Sequence, residues 1–268
     1  MSDDALLRLE GFLAGLGEVA VAVSGGVDSL TLATVAHHVL GQRAAMLHAV
    51  SPAVPAEATR QTRELAQAQG WWLEVVDGGE FEDPAYRANP VNRCFYCKTN
   101  LYGTIARLTR ATILSGTNLD DLGEYRPGLE AAKEHGVRHP YVEVGVEKAG
   151  VRDLARRLSL PEVAELPSAP CLSSRVETGI AIEAPVLAVI HEVEKRVAAA
   201  LSPKTVRCRV RKAGVVIELD ATSLSGLDED RRGDLDREVG RLLAEAGLLL
   251  PVSFAAYRTG SAFLTGAA

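Results

Sequence analysis

An apolar, mostly β-branched run, Val19-Ala20-Val21-Ala22-Val23, passes directly into Ser24-Gly25-Gly26-Val27-Asp28-Ser29 and then into a Leu/Ala/Val-rich stretch from Leu30 to Leu40. That order reads as a strand, a tight loop and the start of a helix. Gly25 and Gly26 let the backbone approach a ligand closely, and successive amides together with the helix dipole then face an anion. The loop therefore reads as a nucleotide-phosphate site. It is not the familiar phosphate loop, which needs a lysine reaching the β- and γ-phosphates; Asp28 stands there instead. An aspartate among phosphates is chemically sensible when Mg²⁺ lies between them, so the segment suits a pyrophosphate with its metal. The plain alternative is a strand-to-helix turn that uses Gly-Gly for geometry alone.

Strand-like runs alternate with helical patterns along the first half of the chain: Val19–Val23, helix Leu30–Leu40, Ala44–Val50, helix Ala56–Gln69, Trp72–Val76, helix Lys98–Leu108 and Thr112–Ser115. The alternation predicts an α/β fold, a parallel sheet flanked by helices. Ligands of such sheets gather at the carboxyl ends of the strands, so the loops Ser24–Ser29, Ser51–Pro55 and Gly116–Gly128 are expected to share one crevice. A helical segment from Lys148 to Leu158 leads to prolines at 161, 167 and 170, which predict an extended connector. Beyond Ile182 a helix (185–201), two strands (206–211 and 215–219), a helix (228–246) and a strand (252–255) predict a smaller α+β domain. The expected organisation is residues 1–165, a connector 166–181 carrying Cys171, and residues 182–268.

With 268 residues and 47% hydrophobic content the chain can bury a sizeable core. A formal net charge of −6 and a pI near 5.6 argue against a broad nucleic-acid footprint. Met1-Ser2-Asp3-Asp4 lacks the basic start of a signal peptide, and no apolar run reaches membrane-spanning length, so a cytoplasmic protein is expected. There the four cysteines are expected as thiols, metal ligands or catalysts rather than disulfides.

Four further segments carry chemistry. Gly116-Thr117-Asn118-Leu119-Asp120-Asp121, continuing to Arg126-Pro127-Gly128, is again a strand entering a glycine turn with acidic groups. Pro170-Cys171-Leu172-Ser173-Ser174-Arg175 sets a cysteine in a proline-ordered loop, where the Arg175 charge is expected to lower the thiol pKa; a small buried apolar residue is the alternative. Cys94-Phe95-Tyr96-Cys97 is a C-x-x-C that suits a redox pair, half a zinc site, part of an iron–sulfur ligand set, or an incidental helix start. Arg207, Arg209 and Arg211 alternate with Val206, Cys208 and Val210, which places three guanidiniums on one strand face, suited to phosphate or simply to solubilising an edge strand. Cys208 reads as core. The histidines at 37, 38, 48, 135, 139 and 191 show no metal-ligand spacing, and Trp71-Trp72 reads as core.

Ser24–Ser29 resembles the S-G-G-x-D-S loop of PP-loop ATP pyrophosphatases, of the adenine-nucleotide α-hydrolase type. The Gly116–Gly128 and Pro170–Arg175 segments are similar to those of the LarE family within that group, ATP-dependent sulfur-transfer enzymes of nickel-pincer nucleotide biosynthesis. The resemblance implies that Ser24, Gly25, Gly26, Asp28, Ser29, Gly116, Thr117, Asn118 and Arg126 hold ATP, with Asp28 on Mg²⁺. It implies adenylation of a carboxylate on a pyridinium mononucleotide, with release of pyrophosphate. It makes Cys171 the sulfur-bearing residue, either as a sacrificial thiolate left as dehydroalanine or, with Cys94 and Cys97, as a ligand of a [4Fe–4S] cluster that takes sulfide from a donor. It also implies that Arg207 and Arg209 bind the substrate phosphate near an acidic metal-binding group to which Glu194 and Glu218 would belong, and that the protein is a homo-oligomer, a hexamer built from dimers. A tRNA thiolase or an ammonia-dependent synthetase of the same superfamily would share the activating loop.

Overall fold

The computed structural model describes residues 2–123, 126–168 and 170–262. The first part of the chain runs α1 (Ser2–Ala14), β1 (Val19–Val23), α2 (Val27–Leu40), β2 (Ala44–Val50), α3 (Ala56–Gln69), β3 (Trp72–Asp77), α4 (Pro84–Arg87), α5 (Arg93–Leu108) and β4 (Thr112–Ser115). It continues with α6 (Gly128–Glu134), α7 (Pro140–Glu143), α8 (Lys148–Arg157), α9 (Pro161–Ala164), α10 (Ala184–Leu201), β5 (Val206–Arg211), β6 (Gly214–Leu219), α11 (Ala221–Ser225), α12 (Glu229–Glu245) and β7 (Val252–Ala256). These elements form two compact units. Residues 1–83 and 92–169 make the first, while residues 84–91 and 170–268 make the second. From Pro170 onward the expected connector is therefore part of the second unit, which also recruits α4 from the middle of the first half.

The first unit is built on a four-stranded sheet of order β3-β2-β1-β4 in which every pair is parallel. This is the architecture of a PP-loop α/β protein. Its central strand explains the layering, because alternate residues of a strand face opposite sides. Val19, Val21 and Val23 enter the core with Leu9 and Leu13 of α1, Leu30 and Val35 of α2, and Val151 and Leu154 of α8. Ala20 and Ala22 enter the other core with Tyr102 and Ile105 of α5. Large residues on one face and small ones on the other let α5 lie close to the sheet. α2 is apolar nearly all round, with residues from Val27 to Ala36 buried in an unbroken run apart from the half-buried Asp28, so the helix that starts at the glycine loop is held from several sides. Trp71 is buried, whereas Trp72, the first residue of β3, is 56% exposed.

Three starts differ from expectation: α5 begins at Arg93 and so contains both Cys94 and Cys97, α2 begins at Val27, and α1 precedes the first strand. The second unit carries a three-stranded sheet of order β5-β6-β7, antiparallel between β5 and β6 and parallel between β6 and β7. Val193 and Val197 of α10 and Leu235, Val239 and Leu243 of α12 are buried in this unit, as are Cys208, Val210, Val215 and Ile217 of its sheet.

The tight face of β1 can be tested directly. Ala20→Leu inserts three carbons against Tyr102 and Ile105 and is expected to lower stability by about 1–3 kcal/mol, read as a reduced midpoint in urea unfolding.

Candidate functional site

The glycine loop keeps its shape through one hydroxyl. Ser29 Oγ, buried in the first turn of α2, donates to the Gly26 carbonyl (3.1 Å) and accepts from the Ser24 amide (3.1 Å), with the Ser24 hydroxyl also at 3.1 Å. Gly25 has φ +85°, a backbone conformation that favours glycine, and a Cβ there would also press on Thr62 and Ala58 of α3 at 3.2–3.3 Å. Gly26 is the N-cap of α2 and supplies no side-chain cap, which leaves the amides at the start of this 14-residue helix facing outward without a side-chain acceptor. Directly beneath, His48 of β2 bonds through Nδ1 to the Val23 carbonyl (2.9 Å) and through Nε2 to the Thr59 hydroxyl (2.9 Å). A carbonyl only accepts, so Nδ1 carries the proton and Nε2 accepts from Thr59. Burial pushes the His48 pKa below its ordinary value.

Gly116 joins the second loop to the first. A Cβ on Gly116 would lie 2.9 Å from the Asp28 carbonyl carbon and the Ser29 nitrogen, a backbone approach that only glycine permits. Asn118, buried, then donates from Nδ2 to Asp28 Oδ1 (3.1 Å), while its backbone amide donates to Asp121 Oδ2 (3.1 Å). Lys148, the first residue of α8, sets Nζ 2.5 Å from Asp28 Oδ2 and donates its amide to Asp120 Oδ2 (3.1 Å). The Tyr141 hydroxyl donates to the Asp28 carbonyl (3.0 Å), and burial followed by the Asp28 charge raises its pKa well above the ordinary value. Arg126 pairs with Asp121 at 2.7 Å. Thr117 lies 3.0 Å from the Ser115 hydroxyl, which in turn meets His139 Nδ1 at 2.7 Å; burial lowers the His139 pKa. Glu124 and Tyr125, within the same motif, lie outside the described residues.

Ser24, Gly25, Gly26, Asp28, Ser29, Gly116, Thr117, Asn118 and Arg126 are thus drawn together at the carboxyl ends of β1 and β4. Lys148 and His139 are additions that sequence reasoning missed. Lys148 is 120 residues from Asp28 and begins a helix that carries no motif, so no local signal marks it. The donor set fits a phosphate chain with a hard cation: uncapped helix amides, a carboxylate, and a lysine within one carboxylate's reach.

The second unit holds the cysteine loop. Cys171 is exposed and precedes a single tight turn, Leu172–Arg175, whose residues are all buried. Arg175 donates from Nε and Nη2 to the two oxygens of Glu194 (3.0 Å each), and from Nη1 to the carbonyls of Pro170 (2.5 Å) and Cys171 (3.1 Å). Glu194 also accepts from the Cys208 amide (2.9 Å). Arg175 thus pairs with Glu194 and grips the carbonyls of Pro170 and Cys171, so it fixes the loop that carries the cysteine. Ser173 is held in turn by the Tyr86 hydroxyl of α4 (2.6 Å).

The arginines of β5 have partners within the fold. Arg209 is buried, with Nε on Glu218 (3.0 Å) and Nη1 on the Ser174 carbonyl (2.9 Å), and Arg211 reaches the same glutamate at 2.8 Å. Arg207 donates to the Val206 carbonyl (2.7 Å) and lies 5.9 Å from the Tyr257 ring centre; burial, then Arg175, lowers its pKa. Arg207 and Arg209 share one face of β5, the fork of Arg209 is taken by the fold, and Glu194 and Glu218 are engaged with arginines. Cys208 is buried, and burial pushes its thiol pKa up. Cys94 and Cys97 stand one turn apart at the start of α5 in the first unit, and Cys171 belongs to the second. Among the described residues no group of three or more His, Cys, Asp or Glu side chains is arranged to hold a metal ion, and none of the helices is long and apolar enough to cross a membrane.

Sheet order and glycine loop place the chain among the PP-loop α/β proteins. It is 30% identical over 212 residues, 77% of this chain and 76% of the relative, to the pyridinium-3,5-bisthiocarboxylic acid mononucleotide synthase of Lactiplantibacillus plantarum. The chain belongs to the LarE family. It is also 42% identical over 187 residues, 67% of this chain and 68% of the relative, to an uncharacterised protein of Synechocystis sp.. An uncharacterised protein of Methanocaldococcus jannaschii is 24% identical over 66% of this chain and 68% of its own length. No family model matches the chain.

Two outcomes follow from this geometry. Because the folded His48 resists a proton that the unfolded chain accepts, stability rises with pH up to about 6.5 and is lost as pH falls toward the lowered folded value. Urea titrations at pH 7 and pH 5 should show a larger loss for the wild type than for His48→Gln. Arg175→Ala strands the buried Glu194 carboxylate and is expected to cost about 3–5 kcal/mol, measured by unfolding at neutral pH.

Proposed function

We propose that the protein is an ATP-dependent sulfurtransferase that converts a carboxylate of a pyridinium mononucleotide into a thiocarboxylate, in keeping with its Lactiplantibacillus relative, which is named as a pyridinium-3,5-bisthiocarboxylic acid mononucleotide synthase. The observation that carries this reading is the convergence at Asp28 of the Ser24–Ser29 loop, Asn118 of the Gly116 loop and Lys148. Such a cradle suits ATP with Mg²⁺, which would be held by Asp28 and would screen the phosphates.

Gly25, Gly26 and the first amides of α2 orient the phosphate chain. A substrate carboxylate oxygen attacks the α-phosphorus as the bond to the bridging oxygen breaks, and its electron pair leaves with pyrophosphate. The acyl adenylate is now a good electrophile. The Cys171 thiolate adds to the acyl carbon and AMP departs, leaving a thioester. Loss of the Cys171 α-proton with cleavage of Cβ–S then releases the thiocarboxylate and leaves dehydroalanine. The loop built by Arg175 and Ser173 presents this sulfur on an exposed residue. This is the sacrificial form of the step; in its other form Cys94, Cys97 and Cys171 would hold a [4Fe–4S] cluster that passes on sulfide from a donor, and Cys171 would survive turnover.

Anaerobically purified protein, assayed for iron and sulfide and then given Mg·ATP and the dicarboxylated pyridinium mononucleotide, is expected to release pyrophosphate and form one equivalent of thiocarboxylate. The protein should lose the mass of one hydrogen sulfide at Cys171. Cys171→Ala should retain pyrophosphate release and lose all thiocarboxylate. Bound iron with repeated turnover and an intact Cys171 would replace the sacrificial step by a cluster. Amide formation from ammonia by Cys171→Ala, or pyrophosphate release only with RNA, would overturn the assignment.

A further inference from the structure

The loop at Ser24–Ser29 lacks the lysine that other phosphate loops carry inside their own turn. A cation nevertheless stands at the site, delivered from far along the chain. Lys148 Nζ lies 2.5 Å from Asp28 Oδ2, and Asn118 holds the other oxygen of the same carboxylate at 3.1 Å. Two independent features fix Lys148 there. Its backbone amide is tied to Asp120 in the Gly116 loop (3.1 Å), and the helix it begins is anchored by Val151, Leu154 and Ala155, buried in the core that also contains Val27 and Leu30 of α2. The lysine and the loop are thus carried by elements packed into one core, with the Tyr141 hydroxyl bracing the Asp28 carbonyl between them (3.0 Å). The Lys148 side chain remains 38% exposed, so the ammonium can change partner without exposing or burying the helix.

We propose that Lys148 is the phosphate lysine of this loop, supplied by α8 of the same chain: it neutralises Asp28 in the free protein and contacts the pyrophosphate portion of ATP when a divalent cation takes the carboxylate. The proposal rests on the ATP-binding reading of the same site. Its electrostatic logic is an exchange of partners. A polyphosphate beside an unpaired Asp28 would be repelled, and Lys148 removes that charge while the site is free. A cation bound to Asp28 removes the need for Lys148 there, and the released ammonium faces the phosphates that the same cation holds. An ammonium that reaches one oxygen of a carboxylate also reaches an anion bridged to that carboxylate by a single ion. As a compact point charge on a flexible stem, lysine suits such a shift. By balancing charge on the departing pyrophosphate it would favour cleavage of the bond between the α-phosphorus and the bridging oxygen.

Equilibrium binding of ATP, inorganic pyrophosphate and AMP, each with Mg²⁺, to wild-type protein and to Lys148→Met and Lys148→Arg tests this. The methionine variant is expected to bind ATP and pyrophosphate at least about tenfold more weakly, to keep AMP affinity within about twofold, and to be largely rescued by arginine. Unchanged ATP affinity, or an equal loss for AMP, overturns the role of Lys148. Should the methionine variant not fold, Lys148→Gln is read by the same split. Wild-type protein that takes up neither ATP nor pyrophosphate overturns the ATP-binding reading and this proposal with it, whereas normal ATP binding by wild type and variant alike overturns only the proposal.

Discussion

The contact between Gly116 and the backbone of Asp28 and Ser29 is the constraint from which the first unit's site follows. With the position of a Cβ only 2.9 Å from two backbone atoms, the end of β4 and the start of α2 are pressed together as closely as chain permits. That closeness sets Asn118 against one oxygen of Asp28. It also brings the loop's acids within reach of Lys148, whose amide binds Asp120. A side chain at residue 116 would separate the loops and loosen each of these contacts in turn. The parallel sheet prepares the meeting by placing β4 beside β1 in register, Ser115 against Ala22.

The second unit solves a different problem: how to hold an exposed cysteine in place. Residues 172–175 pack against α10 and β5, and two arginines hold them, Arg175 within the turn and Arg209 from β5. Arg175 grips the carbonyls of Pro170 and Cys171, and Arg209 grips that of Ser174. Each guanidinium is matched by a buried carboxylate, Glu194 and Glu218 respectively. Planar forks with several donors suit this task, because one group can serve a carboxylate and a carbonyl at once.

Much of the fold was legible because its signals are local. The Val/Ala run of β1, the Gly-Gly turn and the bounds of β2, α3, β4 and β5 follow from residues adjacent in sequence. Leu9 and Leu13 carry helical spacing for α1, but nothing in that segment says where it docks. Lys148 and His139 were not legible, because their importance comes from partners distant in the chain, and neither lies in a motif. The partners of the arginine strand were hidden for a related reason. Alternation correctly put Arg207, Arg209 and Arg211 on one face, yet a polar face need not meet solvent. Glu218 on the neighbouring strand pairs with two of the three, which no count along β5 alone could reveal.

Those glutamates also show why a buried ion pair should be read as geometry before it is read as stability. Removing two charges from water costs about as much as their attraction returns, so Arg175–Glu194 and Arg209–Glu218 are weak sources of net folding energy. Apolar residues of similar volume would hold α10, β5 and β6 together equally well. They would not offer donors to the loop carbonyls of Pro170, Cys171 and Ser174, nor would they couple the cysteine loop to α10 and β5 through a single carboxylate that also accepts from the Cys208 amide. The polar groups are kept where the loop needs direction. Cys171, alone of the four cysteines in being exposed, sits at the point to which that direction leads.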